Sequence, residues 1–184
     1  MAGEWRSLEP RSWVYLLHPR PVAVIVAGTM ERYSAMPASW IMPASRDPPV
    51  VAVAIARSRY TYHFLARLRE FNVCILGVDH LRSIHMMGTV SGRDVEDKIT
   101  WAGLTKTTAK RTKAPVIAES LAVIEAALDM VVEAGDHDIV LGKVLEAYVR
   151  EGVEPGDPAS YRVPLHIKRN MYTVPAKTVF RVQA

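Results

Sequence analysis

Residues 57–61 hold the groups that bind a phosphate monoester. Arg57, Ser58 and Thr61 lie at the expected start of a helix. Free backbone N–H groups, hydroxyls and an arginine charge together bind anions at such a position. A simpler interpretation is also open, in which Thr61 only caps the helix and the arginines are solvated. Considered alone, this run favours the simpler interpretation.

Residues 34–45 are the second candidate. They are rich in Ala, Ser, Pro and Met around Trp40, and a loop of this composition can present backbone N–H and C=O groups to the edge of a flat ring. Trp40 could stack on such a ring, although a large aromatic residue in a loop more often fills the core. Residues 88–98, with Ser91 and Lys98, offer either another anion contact or an ordinary loop before a charged helix.

The chain offers little side-chain chemistry of its own. It contains no Gly-x-Gly-x-x-Gly run and no Gly-x-Ser-x-Gly elbow. Its histidines show no metal-ligand spacing, and the single Cys74 lies in an apolar run typical of a buried strand. His137 follows Asp136 at a turn, where a side chain can reach a cleft but is more often plain surface. Because a chain of this kind generally borrows a cofactor for chemistry, we predict a cofactor and no metal site.

Strands dominate the framework that must position these residues. Apolar runs of strand length cover residues 22–27, 50–56 and 71–76, and helical patterns cover 62–69, 80–87 and 94–101. The N-caps expected for the first two helices are Thr61 and Asp79. Two short segments, at residues 164–172 and 177–182, end the chain.

Residues 118–134 fit two structures. Their apolar positions keep a helical spacing, yet every even position from 122 to 132 is also apolar, which suits a half-buried strand. We choose a hairpin with residues 139–149, because a long antiparallel pair closes a barrel. No repeat or linker divides residues 1–184, so a single, mainly β (α+β) domain is expected.

Composition excludes several partners. Hydrophobic residues make up 49% of the 184 residues, and the net charge of +4 is spread along the chain, whereas nucleic-acid binders concentrate positive charge on one face. No apolar run approaches the roughly 20 residues that cross a bilayer, and residues 1–11 lack the apolar core of a signal peptide. A cytoplasmic protein without nucleic-acid or membrane partners is expected.

Several short motifs, taken in order, resemble the flavin reductase-like family of FMN-binding split-barrel proteins. They are Arg20-Pro21, Met36-Pro37-Ala38-Ser39-Trp40, Ser45-Arg46-Asp47-Pro48-Pro49, Ser91-Gly92-Arg93-Asp94 with Asp97-Lys98, Gly135-Asp136-His137, and Pro164-Leu165 with Tyr172. The resemblance covers about residues 17–172. It implies a six-stranded antiparallel barrel with short flanking helices, in a homodimer that holds FMN near its interface.

The resemblance also implies roles for individual residues. Those expected to face the isoalloxazine ring are Ala38, Ser39, Trp40 and Ser45. Those expected to hold the phosphate or ribityl chain are Arg57, Ser58 and Thr61, and Ser91 and Lys98 are expected to reach the same ligand. The residue expected to line the pocket for nicotinamide or an electron acceptor is His137.

Three functions are consistent with these features. The first is an NAD(P)H-dependent flavin reductase, in which hydride passes from nicotinamide to flavin N5 and the protein mainly places two rings face to face. The second is a flavoredoxin-like electron carrier that receives electrons from a protein partner. The third is a barrel that binds another small molecule and has no catalytic activity. The choice between NADH and NADPH, and among free flavin, ferric iron and a monooxygenase partner as acceptor, stays open.

Overall fold

Strands outnumber helices in the computed structural model, which describes residues 3–180 and residue 182. The strands are β1 (Arg20–Pro21), β2 (Ala23–Gly28), β3 (Tyr33–Ala38), β4 (Ile41–Arg46), β5 (Pro49–Ala56), β6 (Glu70–Leu76), β7 (Lys106–Thr107), β8 (Val116–Ile117), β9 (Ser120–Ala134), β10 (His137–Val149), β11 (Leu165–Lys168) and β12 (Met171–Thr173). The helices are α1 (Tyr60–Leu68), α2 (Leu81–Thr89) and α3 (Lys98–Trp101), with 3-10 turns at Trp13–Leu17 and Val78–His80. The predicted mainly β class is confirmed.

In the described residues, one large antiparallel sheet has the strand order β3-β2-β6-β9-β10-β5-β4. Its two edge strands, β3 and β4, follow one another in the chain with only Ser39 and Trp40 between them. The backbone therefore joins one edge of the sheet to the other, and the sheet closes into a barrel. When β3 and β4 are counted as one interrupted strand, the sheet has the predicted six strands.

The long hairpin of β9 and β10 confirms the strand alternative for residues 118–134. Pairing runs from His137 opposite Ala134 to Val149 opposite Ala122. Gly135 forms the turn with φ of +71°, a conformation that glycine adopts at little cost. Strand β9 also pairs with β6, and β10 with β5, so backbone hydrogen bonds on both sides of the hairpin outweigh the helical spacing of its apolar residues.

Two apolar clusters occupy the two sides of strand β2, which is buried along its whole length. One cluster contains Ile25 of β2 and Leu65 of α1. The other contains Val24 of β2, Ile84 of α2 and Ile99 of α3. Because α1 packs on one cluster and α2 and α3 on the other, the edge strand β3 next to β2 has helices on either side.

Two buried polar side chains attach the loop at residues 110–115 to the sheet. The Glu125 carboxylate accepts hydrogen bonds from the backbone N–H groups of Lys110, Arg111 and Thr112 at 2.6–2.9 Å. Asn72, which lies opposite Glu125 on β6, donates to the Ala114 carbonyl at 2.9 Å. Burial raises the pKa of Glu125, but these N–H groups and the Tyr148 hydroxyl outweigh it, so the pKa lies below its usual range.

The structure corrects the prediction that residues 34–45 form a loop. Most of them belong to strands β3 and β4, and Pro37 and Pro43 lie within these strands. Proline lacks the N–H that a central strand needs, so it occurs on edge strands. The prolines that suggested a loop therefore mark the two edges of the sheet.

The helices begin and end at different residues from those predicted. Helix α1 begins at Tyr60 after Arg59, so Thr61 is not its cap, and α2 begins after His80 rather than after Asp79. Helix α3 is much shorter than the predicted 94–101, because the Asp97 side chain accepts from the Thr100 amide and caps the helix there.

No strand occurs at residues 177–180 or 182. Within the described residues, no helix is long and apolar enough to span a bilayer.

Candidate cofactor site

A cavity of about 600 Å³ lies along edge strand β3, between the start of α1 and the end of α2. Its volume is in the range of small-molecule sites. The residues that line it come from five segments of the chain: Val22, Ser34, Met36–Ser39, Ser58–Thr61, His85, Met87–Arg93, Lys98, His166, Arg169 and Tyr172.

The start of α1 forms one part of the wall. No side chain caps this helix. The Tyr62 N–H donates to the Arg59 carbonyl at 3.0 Å, which leaves the N–H groups of Tyr60 and Thr61 for an anion. Thr61 is only 1% exposed, and its hydroxyl lies 2.9 Å from the hydroxyl of Ser34 on β3. This contact holds the first turn of α1 against the edge strand, with Ser58 and Arg59 beside the cavity.

The segment after α2 closes against the same turn. A Cβ added at Gly92 would lie 2.7 Å from the Ser34 hydroxyl oxygen and 2.8 Å from a Tyr60 ring carbon, so this close approach requires glycine. The Arg93 guanidinium lies over the Tyr60 ring, 4.9 Å from its centroid, and donates to the Ser58 carbonyl at 3.4 Å. The two segments therefore form one continuous wall.

Lys98 is a buried cation in this wall. It is 3% exposed, and its ammonium group donates to the Val90 carbonyl at 3.0 Å. Burial, with repulsion from Arg59, lowers the pKa of Lys98 to about 8. Among the described residues that line the cavity there is no Asp or Glu. Since buried charges are normally paired, this donor set fits an anionic ligand, and a phosphate monoester matches it well.

The neighbouring acidic residue does not serve as a counter-ion in the cavity. Asp97 accepts from the Tyr33 hydroxyl, from the Thr100 amide and from the Lys106 ammonium group at 2.9 Å. Burial raises the pKa of Asp97, but these donors lower it well below its usual range. The Asp97 carboxylate thus bonds Tyr33, Thr100 and Lys106 rather than the Lys98 ammonium group.

The hairpin of β11 and β12 also contributes to the cavity lining. Tyr172 lies on this hairpin, with its hydroxyl 3.0 Å from Nδ1 of His85 on α2. His166 packs beside Tyr172, with 5.3 Å between the ring centroids, and Arg169 lies in the connection between the strands. Burial raises the pKa of Tyr172, which keeps its hydroxyl protonated.

Six predicted cofactor residues line the cavity together. They are Ala38, Ser39, Ser58, Thr61, Ser91 and Lys98. Five arginine and histidine side chains of the lining were not among the predicted site residues: Arg59, His85, Arg93, His166 and Arg169. Arg59 and Arg93 belong to the candidate anion-binding runs at residues 57–61 and 88–98. His85, His166 and Arg169 carry no local sequence signal.

Arg57, which was predicted to hold the phosphate, lies outside the cavity lining. Its guanidinium lies 2.7 Å from a carboxylate oxygen of Asp138 and 3.2 Å from Glu133, and the hydroxyl of Tyr62 donates to the same Asp138. Hydrogen bonds from Arg57 and Tyr62 lower the pKa of Asp138. Arg57 does not line the cavity because the hairpin brings a carboxylate, 81 residues away in sequence, to its side.

Trp40, Ser45 and His137 likewise lie outside the cavity lining. Trp40 follows Ser39 and packs on His137, with 4.8 Å between their ring centroids. The imidazole of His137 contacts Asp136 at 2.8 Å, and Ser45 lies opposite Val50 in the β4–β5 pair. None of these three residues lines the cavity that this chain forms.

Residues 15–174 match the family model of the flavin reductase like domain. The chain belongs to this family. The predicted family is therefore confirmed, and the match spans the barrel, the cavity and the β11–β12 hairpin.

Relatives of this flavin reductase-like chain include proteins with and without a described activity. An uncharacterized protein of Aeropyrum pernix is 35% identical over 167 residues, which cover 90% of this chain but only 64% of that relative. An NADH:riboflavin 5′-phosphate oxidoreductase of Streptomyces pristinaespiralis is 31% identical, with 86% of this chain and 82% of the relative covered. Among solved structures, an FMN-binding protein of Thermus thermophilus with bound p-hydroxybenzaldehyde is 26% identical, with a TM-score of 0.86 over 98% of this chain and 100% of that chain.

Proposed function

We propose that this flavin reductase-like protein holds FMN in the β3 cavity and reduces it with a nicotinamide dinucleotide. FMN is the cofactor that family membership and the similarity to the FMN-binding protein of Thermus thermophilus support. The observation that carries the placement of FMN is the buried Lys98, which lies beside the start of α1 without a carboxylate partner in the described lining.

The phosphate of FMN would bind at the start of α1. Uncapped N–H groups, the Ser58 and Thr61 hydroxyls and the Arg59 guanidinium surround this part of the cavity. Lys98 and Ser91 come from the adjoining segment after α2. A phosphate bound by donors from both segments would give the buried ammonium group a charged partner.

The flat part of FMN would lie along β3. Small residues, Ala38 and Ser39, line this part of the cavity, and they allow a ring to approach the strand. When bound, FMN supplies the redox chemistry, taking a hydride from the nicotinamide and passing the electrons on. The chain contributes binding and orientation, and its cationic wall stabilises negative charge in the cavity.

A nicotinamide donor is the preferred electron source. The relative from Streptomyces pristinaespiralis, whose described activity uses NADH and riboflavin 5′-phosphate, aligns over 86% of this chain. The proposed reaction requires no nucleophile or metal from the protein, which agrees with the side chains that line the cavity.

We further propose that the protein is a homodimer with FMN near its interface. The 3-10 turn Trp13–Leu17 exposes Trp13, Leu16 and Leu17 by 55–72%. The tip of the long hairpin exposes Met130 and Val132 by 53% and 42%. Exposed apolar groups of this size support a protein interface. Light scattering should give a mass of two chains, and a mass of one chain at micromolar concentration would contradict the dimer.

Anaerobic mixing with NADH tests the function. The FMN-loaded protein should lose its flavin absorption rapidly, because the proposed reductase brings nicotinamide and FMN together. Protein that binds FMN but is not bleached by NADH or NADPH would favour an electron carrier fed by a protein partner. Protein that does not bind FMN would contradict both flavin functions.

A further inference from the structure

Arg169 is a fourth cation at the cavity, and it belongs to a different segment of the chain from the other three. Arg59, Arg93 and Lys98 belong to the wall made by α1 and the segment after α2. Arg169 instead lies on the β11–β12 hairpin, which contacts α2 through the Tyr172–His85 hydrogen bond. The cavity therefore receives positive charge from the β11–β12 hairpin as well as from α1 and the segment after α2.

The backbone at Arg169 adopts a conformation that its residue type does not favour. Arg169 and Asn170 connect the paired residues Lys168 and Met171, and Arg169 has φ of +52°. Glycine is preferred at a positive φ in a two-residue hairpin connection. A large cationic side chain at such a turn position suggests a functional role for Arg169.

His166 holds this turn in place. Its Nε2 lies 2.9 Å from the Arg169 carbonyl oxygen, and because a carbonyl can only accept, Nε2 carries the hydrogen. The His18 ring nitrogen in turn bonds the His166 carbonyl at 2.9 Å. The Arg169 side chain is thus presented to the cavity from a fixed backbone.

The charges in the cavity exceed what one phosphate monoester needs. Such a group carries at most about two negative charges at neutral pH, and Arg59, Arg93 and Lys98 already supply three positive ones. In the part of the chain that the structure describes, no carboxylate lies within ion-pair distance of Arg169. Arg169 is therefore available to a second anionic ligand.

We infer that Arg169 binds the pyrophosphate of the nicotinamide dinucleotide and that His166 positions it. This inference rests on the proposed function, since it assigns a site to the second substrate of the same reaction. It divides the cavity into a wall for the FMN phosphate and a wall for the donor phosphates. A planar guanidinium suits this task because it donates two parallel hydrogen bonds to phosphate oxygens.

Calorimetric titration of the FMN-loaded protein with NAD⁺ tests the inference without catalysis. Arg169→Gly removes the charge and suits the positive φ, so the variant should fold normally. Its dissociation constant for NAD⁺ should rise roughly tenfold to a hundredfold, the usual effect of losing a charged hydrogen bond, while its FMN affinity stays within about twofold of the wild type. Lys168→Gln is the matched control, because Lys168 lies over Tyr15, outside the cavity lining, and should leave NAD⁺ affinity unchanged.

His166 is tested by coupling to Arg169. His166→Ala should weaken NAD⁺ binding in the wild-type background and have no further effect in Arg169→Gly, because it acts through Arg169. Equal losses in both backgrounds would contradict a positioning role.

Three outcomes would overturn the inference. One is unchanged NAD⁺ affinity in Arg169→Gly. Another is a loss of FMN affinity as large as the loss of NAD⁺ affinity, which would place Arg169 at the FMN phosphate. In both cases the proposed function survives, because the wild type still binds FMN and NAD⁺. Wild-type protein that binds no FMN would overturn the proposed function together with the inference.

Discussion

Replacing Lys98 with methionine should strengthen the FMN-free fold and weaken FMN binding. Methionine fills a similar volume without charge. A pKa lowered from 10.5 to about 8 means that charged Lys98 destabilises the FMN-free protein by about 3 kcal/mol at neutral pH. The variant also loses the hydrogen bond to the Val90 carbonyl, worth about 1 kcal/mol. The net gain in the free energy of unfolding is therefore about 2 kcal/mol.

The same change should weaken FMN binding. A charge-assisted hydrogen bond to phosphate contributes about 1.5–3 kcal/mol, so the dissociation constant for FMN should rise roughly tenfold to a hundredfold. Denaturant unfolding of FMN-free protein and flavin fluorescence titration measure the two effects. Lys143→Met is the control, because Lys143 pairs with Asp129 at 2.8 Å and does not line the cavity.

The pH dependence of both effects follows from the lowered pKa of Lys98. Folding disfavours the charged form of Lys98. In FMN-free protein the resulting loss of stability has its full value below pH 8 and disappears as pH rises toward 10.5. The stability advantage of Lys98→Met should shrink over the same range. FMN affinity of the wild type should fall as pH rises through about 8, since the neutral amine no longer attracts phosphate. A variant that is less stable at pH 7 yet binds FMN normally would refute the reasoning.

Three further predictions concern other parts of the molecule. Arg57→Ala should leave FMN affinity within about twofold of the wild type, because Arg57 bonds Asp138 outside the cavity. A roughly tenfold loss of FMN affinity in a fluorescence titration would instead support a contact between Arg57 and the phosphate. Gly142→Ala should lower the free energy of unfolding by about 1–3 kcal/mol, since its Cβ would lie 2.6 Å from the Phe71 ring, and an unchanged denaturation midpoint would contradict this packing. Glu125→Gln should cost about 2–3 kcal/mol, because an amide cannot replace a carboxylate that accepts from three backbone N–H groups. These bonds lower the pKa of Glu125, so the difference in the free energy of unfolding between wild type and Glu125→Gln should have its full value at pH 7. It should shrink as pH falls below the ordinary carboxyl range, and a difference that does not depend on pH would contradict this role of Glu125.

Sequence patterns predicted the local features of the site well. Ser58, Thr61, Ser91 and Lys98 come from short motifs, and all four line one cavity. The hairpin at residues 118–149 was also predictable from its alternating apolar positions. Its burial does not follow that alternation, because Glu125 on the polar side is fully buried and residues 129–134 are all exposed.

Contacts between distant segments were not predictable in the same way. Arg57 meets Asp138 only because β5 and β10 pair with Ala56 opposite His137. Tyr172 meets His85 across 87 residues. Nothing in the local sequence of either pair signals its partner, so the sequence did not show that Arg57 lies outside the cavity lining or that the β11–β12 hairpin contributes to it.

The absorption spectrum of freshly purified protein is the decisive measurement for FMN in the β3 cavity. The protein should be yellow and should release FMN on heating in an equimolar ratio to the chain, and Lys98→Met should be much paler. A colourless wild-type protein that also fails to bind added FMN would contradict the assignment of the β3 cavity as an FMN site.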